Sequence, residues 1–199
     1  GMARLSIICM SLGNEWAAMG KTQEAEESKK LATLITAGYP EQTRKLYRNL
    51  LSQTGSRASE LQNGAAWLLA TAEVPAERDP ALAVELAAKA VGSASDVGAF
   101  RNTLGVARYR AGDWQQAIAD LNQSVALSNG GDSYDFLFLA MAHWQLGDDN
   151  EARRWHERAV AAMSKQPPSE ELRRFRAEAD ELMKQRSGNQ DSKTESGKE

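Results

Sequence analysis

The chain has 199 residues, of which 42% are hydrophobic and 26% charged, a composition that suits one soluble domain or two small ones with an adequate core. Its net charge is −3 and its acidic and basic residues are interspersed, so it lacks the concentrated Lys/Arg stripe that nucleic-acid binding requires. No apolar run approaches the ~20 residues of a membrane helix. We therefore expect neither a nucleic-acid partner nor a membrane contact.

The first dozen residues bear on the cellular compartment. The single cysteine, Cys9, excludes an internal disulfide and fits a reducing compartment. Arg4 and the apolar stretch over residues 5–12 weakly resemble a secretory signal, but two serines interrupt that stretch. We expect a cytoplasmic protein and keep export open as the alternative.

Residues 1–38 are predicted to form a degenerate helical hairpin. Residues 39–57 are interpreted as an extra helix and a linker, with the helix over 41–53. This extra helix interrupts the regular alternation of first and second helices. We therefore expect the N-terminal hairpin either to kink away from the stacked units or to pack on a partner molecule. That partner could be a second copy of the chain, which would give a homodimer through the N-terminal helices. The hairpin carries the repeat pattern described next in weakened form, as Leu12-Gly13, Gly20, Ala25 and Ala32.

Three more regular units follow, over 58–95, 97–131 and 132–166. The middle unit contains Leu104-Gly105, Gly112-Asp113 and Ala117, and the same kinds of residue recur 35 positions later as Leu139-Ala140, Gly147-Asp148 and Ala152. The first of the three has a longer loop over 73–78, after which Asp79-Pro80 has the form of a helix cap and a first-turn proline. A repeat of this length indicates an array of similar supersecondary units that pack on one another, and the family resemblance given below implies that each unit is a helical hairpin.

The small residues of these units each have a physical reason. Gly105 lets the two helices of a hairpin cross at close range. Gly112 and Gly147 lie where a helix ends in the left-handed conformation, which costs glycine little. Asp113 and Asp148 follow as acceptors for the free N–H groups of the next helix. Other small residues keep the second helix slim where units stack: Ala83, Ala90, Ala117, Ser124, Ala152 and Ala159.

The C-terminal segment is predicted to hold a helix and a tail. Pro167-Pro168 ends the last unit, and residues 167–186 are expected to form an amphipathic capping helix. A stack of hairpins would otherwise expose the apolar face of its last unit. Residues 187–199 contain no apolar side chain and are predicted to be disordered. The apolar face of the capping helix consists of Leu172, Phe175, Ala179 and Leu182.

The pattern of Leu-Gly pair, turn glycine and small residues resembles the tetratricopeptide-repeat (TPR) family. The resemblance implies an all-α fold, an α-α superhelix (TPR solenoid) of about ten helices with a C-terminal capping helix. In that family the first helix of each unit lines a concave groove that binds a peptide. The alternative for each groove position is that the capping helix or the core between units covers it. Carried over to this chain, the groove positions are Asn63, Trp67, Asn102, Val106, Tyr109, Arg110, Leu137, Met141 and Trp144.

Residues 63–182 also resemble the C-terminal TPR segments that follow a Ser/Thr kinase domain in some large bacterial proteins. The resemblance rests on the stretches 66–71, 108–114, 139–148 and 171–178. None of the kinase motifs is present, so it implies no catalysis. Receptors for chaperone tails use a Lys and an Asn one turn apart in the first unit. The matching positions here are Met10 and Asn14, so that function is not expected.

No arrangement of residues predicts chemistry. Gly20-Lys21-Thr22 looks like the end of a phosphate-binding loop, but Glu15 stands where that motif needs a glycine. His143 and His156 have no recognisable metal-ligand spacing. We therefore expect a non-enzymatic adaptor or scaffold, without metal or cofactor, that binds a protein segment in its groove. The alternatives are a self-associating structural element and a regulatory region detached from a larger kinase-type protein.

Overall fold

The computed structural model of the chain describes residues 48–52, 54–165 and 167–195, together with the single positions Glu26 and Lys45, and side chains as far as Lys184. The hairpin predicted for 1–38 and most of the extra helix lie outside these residues. Within the described part, the regular elements are α1 (Ser56–Thr71), a 3₁₀ turn (Pro75–Glu77), α2 (Pro80–Ser93), α3 (Gly98–Arg110), α4 (Trp114–Leu127), α5 (Ser133–Gln145), α6 (Asp149–Met163) and α7 (Glu170–Glu195).

The helices pair as hairpins, α1 with α2, α3 with α4 and α5 with α6. Successive hairpins stack through α2 on α3 and α4 on α5, and the first helices α1, α3 and α5 also contact one another in order. We call these first helices the inner layer and α2, α4 and α6 the outer helices. The predicted all-α solenoid fold is confirmed, with seven α-helices in the described residues against about ten expected for the whole chain.

The turns between paired helices follow the predicted chemistry. Gly112 and Gly147 both adopt φ of +83°, the left-handed conformation in which a helix can end without strain on a side chain. The N–H of Asp113 then donates to the Arg108 carbonyl at 3.0 Å. Asp79, Asp113 and Asp148 all act as N-caps of the helices that follow.

Gly105 lies at the closest approach of α3 to α4. A Cβ atom at this position would lie 2.6 Å from Leu121 Cγ and 3.2 Å from the Ala117 carbonyl oxygen. The small residues of the outer helices are likewise buried between helices and do not face solvent. The helices are therefore as close as they are because these side chains are small or absent.

Most of the buried apolar residues form one cluster that runs through all three hairpins. It begins at Leu50, in a short helical stretch over 48–50, where the Leu50 carbonyl accepts a 2.7 Å hydrogen bond from Gln62 Nε2 on α1. It ends at Ala179 on α7. None of the described helices combines the length and the apolar character needed to cross a membrane.

Helix α7 is longer than the predicted capping helix. The Leu172 N–H donates to Ser169 Oγ at the start of the helix. The helix continues to Glu195, through most of the segment 187–199 for which the sequence predicts disorder. A helix that has already formed gains one backbone hydrogen bond for each residue it adds, so a segment without apolar residues can continue it.

Candidate interaction surface on the inner helix layer

Helix α7 lies on the inner layer. It packs on α5, and its side chains reach α1 and α3 as well. Leu172, Phe175 and Ala179, three of the four residues of its predicted apolar face, are buried. The segment predicted to cap the end of the stack therefore covers the first helices of all three hairpins, which is the surface that the sequence assigns to a peptide.

Aromatic rings form the centre of this contact. Phe175 of α7 is fully buried, with its ring centroid 5.1 Å from that of Phe138 and 6.1 Å from those of Trp67 and Tyr134. The Trp67 and Tyr134 rings are 5.6 Å apart. All four contacts are edge-to-face, the geometry that aromatic quadrupoles favour. The cluster joins α1, α5 and α7.

Glu171 accepts hydrogen bonds at one end of the cluster. Trp67 Nε1 donates to Glu171 Oε1 at 3.1 Å, and the Tyr134 hydroxyl lies 3.4 Å from Glu171 Oε2. The Tyr134 hydroxyl also lies 3.1 Å from Ser169 Oγ. Burial raises the pKa of Tyr134, and the neighbouring Glu171 charge acts in the same direction. Tyr134 therefore stays a neutral donor at this site.

Arg110 forms the ionic contact of the surface. Its Nη2 atom donates to Glu178 Oε2 at 2.7 Å and its Nη1 atom donates to Glu178 Oε1, so the guanidinium holds the carboxylate with two bonds. The same guanidinium carbon lies 5.4 Å from the centre of the Tyr109 ring and 5.2 Å from that of Phe138. Only 7% of the Arg110 side chain is exposed, against 31% of Glu178.

Two more arginines bind the end of α1. Arg174 of α7 donates from Nη2 to the Thr71 carbonyl at 2.8 Å, and Arg78 donates from Nε to the Ala72 carbonyl at 2.8 Å. A cation at a helix C-terminus satisfies carbonyls that have no partner within the helix. Burial and then the nearby charge of Arg110 lower the pKa of Arg78. The charge of Arg174 acts on Arg78 in the same direction, and the charge of Glu178 acts in the opposite one.

The structure places the predicted groove residues in two environments. Trp67 and Arg110 contact α7 directly, and the ring of Tyr109 packs against the Arg110 guanidinium. The apolar positions on α3 and α5 are less exposed. Those that are fully buried or nearly so are Val106, Leu137, Met141 and Trp144.

The two predicted asparagines differ in their hydrogen bonds. Asn102 Nδ2 donates to Asp135 Oδ1 at 2.7 Å and so joins α3 to α5. Burial raises the pKa of the Asp135 carboxyl, which also accepts the Asp132 N–H at 3.1 Å. Asn63 is half-buried, and its Oδ1 atom is buried without a hydrogen-bond partner among the described residues.

Tyr134 and Phe138, two central residues of the surface, were not predicted from the sequence. They lie four positions apart and therefore on the same face of the helix. Helix α5 is apolar on nearly every side, so the spacing of its apolar residues does not distinguish that face from the others. Thr71 and Ala72 were missed because they contribute main-chain carbonyls, for which the sequence carries no side-chain signal.

The described residues contain no group of three or more His, Cys, Asp or Glu side chains placed to hold a metal ion. His143 Nδ1 lies 3.2 Å from Asp148 Oδ2, and His156 Nε2 lies 2.5 Å from Asp180 Oδ1 on α7. Each histidine therefore has one carboxylate neighbour. Cys9 and the Gly20-Lys21-Thr22 segment lie outside the described residues.

Residues 96–165, which span α3 to α6, match the family model of the tetratricopeptide repeat. No curated protein matches the chain. The match and the stacked hairpins together support a TPR protein. Repeats of this kind generally mediate protein–protein interaction.

Proposed function

We propose that this protein is a non-catalytic interaction module whose inner layer binds a helical segment of another protein. The observation that carries the proposal is the contact with α7. The inner layer holds an amphipathic helix through an aromatic cluster around Phe175 and a two-bond contact from Arg110. A surface that binds one such helix in its own chain has the shape and chemistry to bind another.

The composition of the surface supports this function. Tryptophan, tyrosine and arginine are the residues that most often dominate the energy of protein–protein contacts, and Trp67, Tyr134 and Arg110 meet α7 here. We propose that these three touch the partner. Val106, Leu137, Met141 and Trp144 then act from the core, by fixing the position of the helices that carry the contact residues.

Crosslinking tests the proposal without a named partner. A photoreactive phenylalanine analogue would replace Trp67 or Tyr134 on the inner layer in cells that produce the protein. The matched controls carry the same analogue at Ala88 or Glu157, which are exposed on the outer helices. We expect a defined crosslinked protein from the two inner positions and not from the two outer ones.

The identity of the crosslinked protein separates the alternatives. A different protein captured from the inner positions supports the module function. A product that consists only of two copies of this chain would support the self-associating element instead. A partner captured only from Ala88 or Glu157 would contradict binding by the inner layer.

A further inference from the structure

The contact residues of α7 follow a simple spacing. Glu171 and Glu178 are seven residues apart, so two helical turns bring them to the same side. Phe175 lies between them, and Leu172 and Ala179 follow the two glutamates directly. This pattern places two carboxylates along one edge of an apolar face whose centre is aromatic.

The inner layer meets both carboxylates with donors. Trp67 Nε1 and the Tyr134 hydroxyl face Glu171, and the Arg110 guanidinium faces Glu178. Arg78 lies close enough to Arg110 for the two charges to repel, and Glu178 offsets that repulsion. Removal of α7 would leave two neighbouring cations without this carboxylate, so the uncovered surface favours an acidic ligand.

We propose, on the basis of the function proposed above, that the partner is an amphipathic helix with carboxylates at positions i and i+7 and an aromatic residue at i+4. We further propose that α7 competes with this helix from within the chain. The partner would then place its carboxylates opposite Trp67 and Arg110 and its aromatic ring among Trp67, Tyr134 and Phe138, as α7 does.

Competition from within the chain weakens the partner's apparent affinity. The connection between α6 and α7 is short, since α6 ends at Met163 and α7 begins at Glu170. A short linker gives the tethered helix an effective concentration on the order of millimolar. If untethered α7 bound the inner layer with a dissociation constant of about 10 µM, the tethered helix would weaken the binding of any competing helix roughly 100-fold relative to the open chain.

The test uses the full chain and a fluorescent synthetic peptide with the sequence of residues 169–186, in unmodified and Glu178→Arg forms. In the Glu178→Arg chain, the introduced guanidinium repels Arg110 and α7 is released. In the Arg110→Glu chain, the new carboxylate repels Glu178 with the same effect. The control chain is Arg153→Glu, a matched charge reversal at an exposed position of α6.

We expect the two opened chains to prefer opposite peptides. The Glu178→Arg chain should bind the unmodified peptide at least about 10-fold more tightly than the reversed one, and the Arg110→Glu chain should show the opposite preference. The unmodified and Arg153→Glu chains should bind both peptides weakly. A reversal of preference cannot result from partial unfolding. Equal binding of both peptides by an opened chain, or no binding by any chain, would overturn the inference.

A second measurement needs no substitution. Excess unmodified peptide should trap the unmodified chain in its open form and accelerate amide hydrogen exchange in α7, while exchange in α5 stays unchanged. Unaltered exchange in α7 at millimolar peptide would refute displacement. A mass of two chains in light scattering, with α7 exchanged between copies, would refute the competition within one chain.

Failure of this inference is distinguishable from failure of the proposed function. Crosslinks to a partner from the inner positions, combined with no binding of either peptide, would leave the module function standing and overturn the α7-like chemistry of the partner. A partner captured only from the outer helices would overturn both.

Discussion

Replacement of Gly105 by alanine tests whether the hairpins depend on close approach of their helices. The added Cβ atom would lie 2.6 Å from Leu121 Cγ, 2.9 Å from Leu121 Cδ2 and 3.2 Å from the Ala117 carbonyl oxygen. The Leu121 side chain is fully buried and the Ala117 atom belongs to the main chain, so relief of these contacts requires a shift of α4. Gly92 is the matched control, because it lies in α2 with no atom within 4 Å of an added Cβ.

The two substitutions share one contribution and differ in the other. Alanine in place of a glycine inside a helix stabilises the helix by up to about 1 kcal/mol, and this gain applies in full at Gly105 and in part at Gly92, which is next to the last residue of α2. Overpacking of a filled interior costs about 1–3 kcal/mol and applies only at Gly105. We therefore expect Gly92→Ala to raise the free energy of unfolding, and Gly105→Ala to fall about 1–3 kcal/mol below it.

Urea denaturation followed by far-ultraviolet circular dichroism measures both free energies, since the signal reports helix throughout the stack. Crystal structures of the two variants would show a displaced α4 only for Gly105→Ala. Equal stability of the two variants would contradict the packing described for α3 and α4 and would refute the reason given for glycine at this position.

Two other perturbations test the C-terminal helix and the buried carboxylate. Phe175→Ala should lower stability by about 3–5 kcal/mol, because the ring is fully buried, and hydrogen exchange should show that the loss concentrates in α7; uniform exchange across the stack would contradict this. Burial raises the pKa of the Asp135 carboxyl above its ordinary value of 3.8, because the folded state favours the neutral, protonated form. This preference contributes to the free energy of unfolding in full below pH 3.8, and the contribution is lost as the pH rises through the folded-state pKa. The stability of Asp135→Asn relative to the unmodified chain, measured by urea denaturation at several pH values, should therefore rise across that interval and then level off, and a constant or falling difference would contradict the assignment.

The hairpins were predictable because their determinants are local. Gly112 and Gly147 end helices, and Asp113 and Asp148 begin the next ones, within stretches of a few residues. Gly105 marks a helix crossing within one repeat unit. Recurrence of these signals 35 residues apart carries the resemblance to the TPR family, and that resemblance implies the order of the helices and the fold class.

The position of α7 was not predictable in the same way. Its apolar residues indicate that one face is buried, but they do not say which surface covers it. Trp67 and Glu171, which meet at the contact, are 104 residues apart in the chain. On α5, Leu137 and Met141 stay predicted groove residues and are buried like Phe138, and a helix that is apolar on nearly every side gives no signal for which of its faces meets α7.

The central claim is that the inner layer holds an amphipathic helix through specific contacts, and a double-mutant cycle of Arg110→Ala and Glu178→Ala tests it most directly. These residues are 68 positions apart and meet only if α7 lies on the inner layer. The pair is largely shielded on the Arg110 side and partly exposed on the Glu178 side, so we expect a coupling of about 1–2 kcal/mol in the free energy of unfolding. A coupling indistinguishable from zero would contradict the placement of α7 on the inner layer.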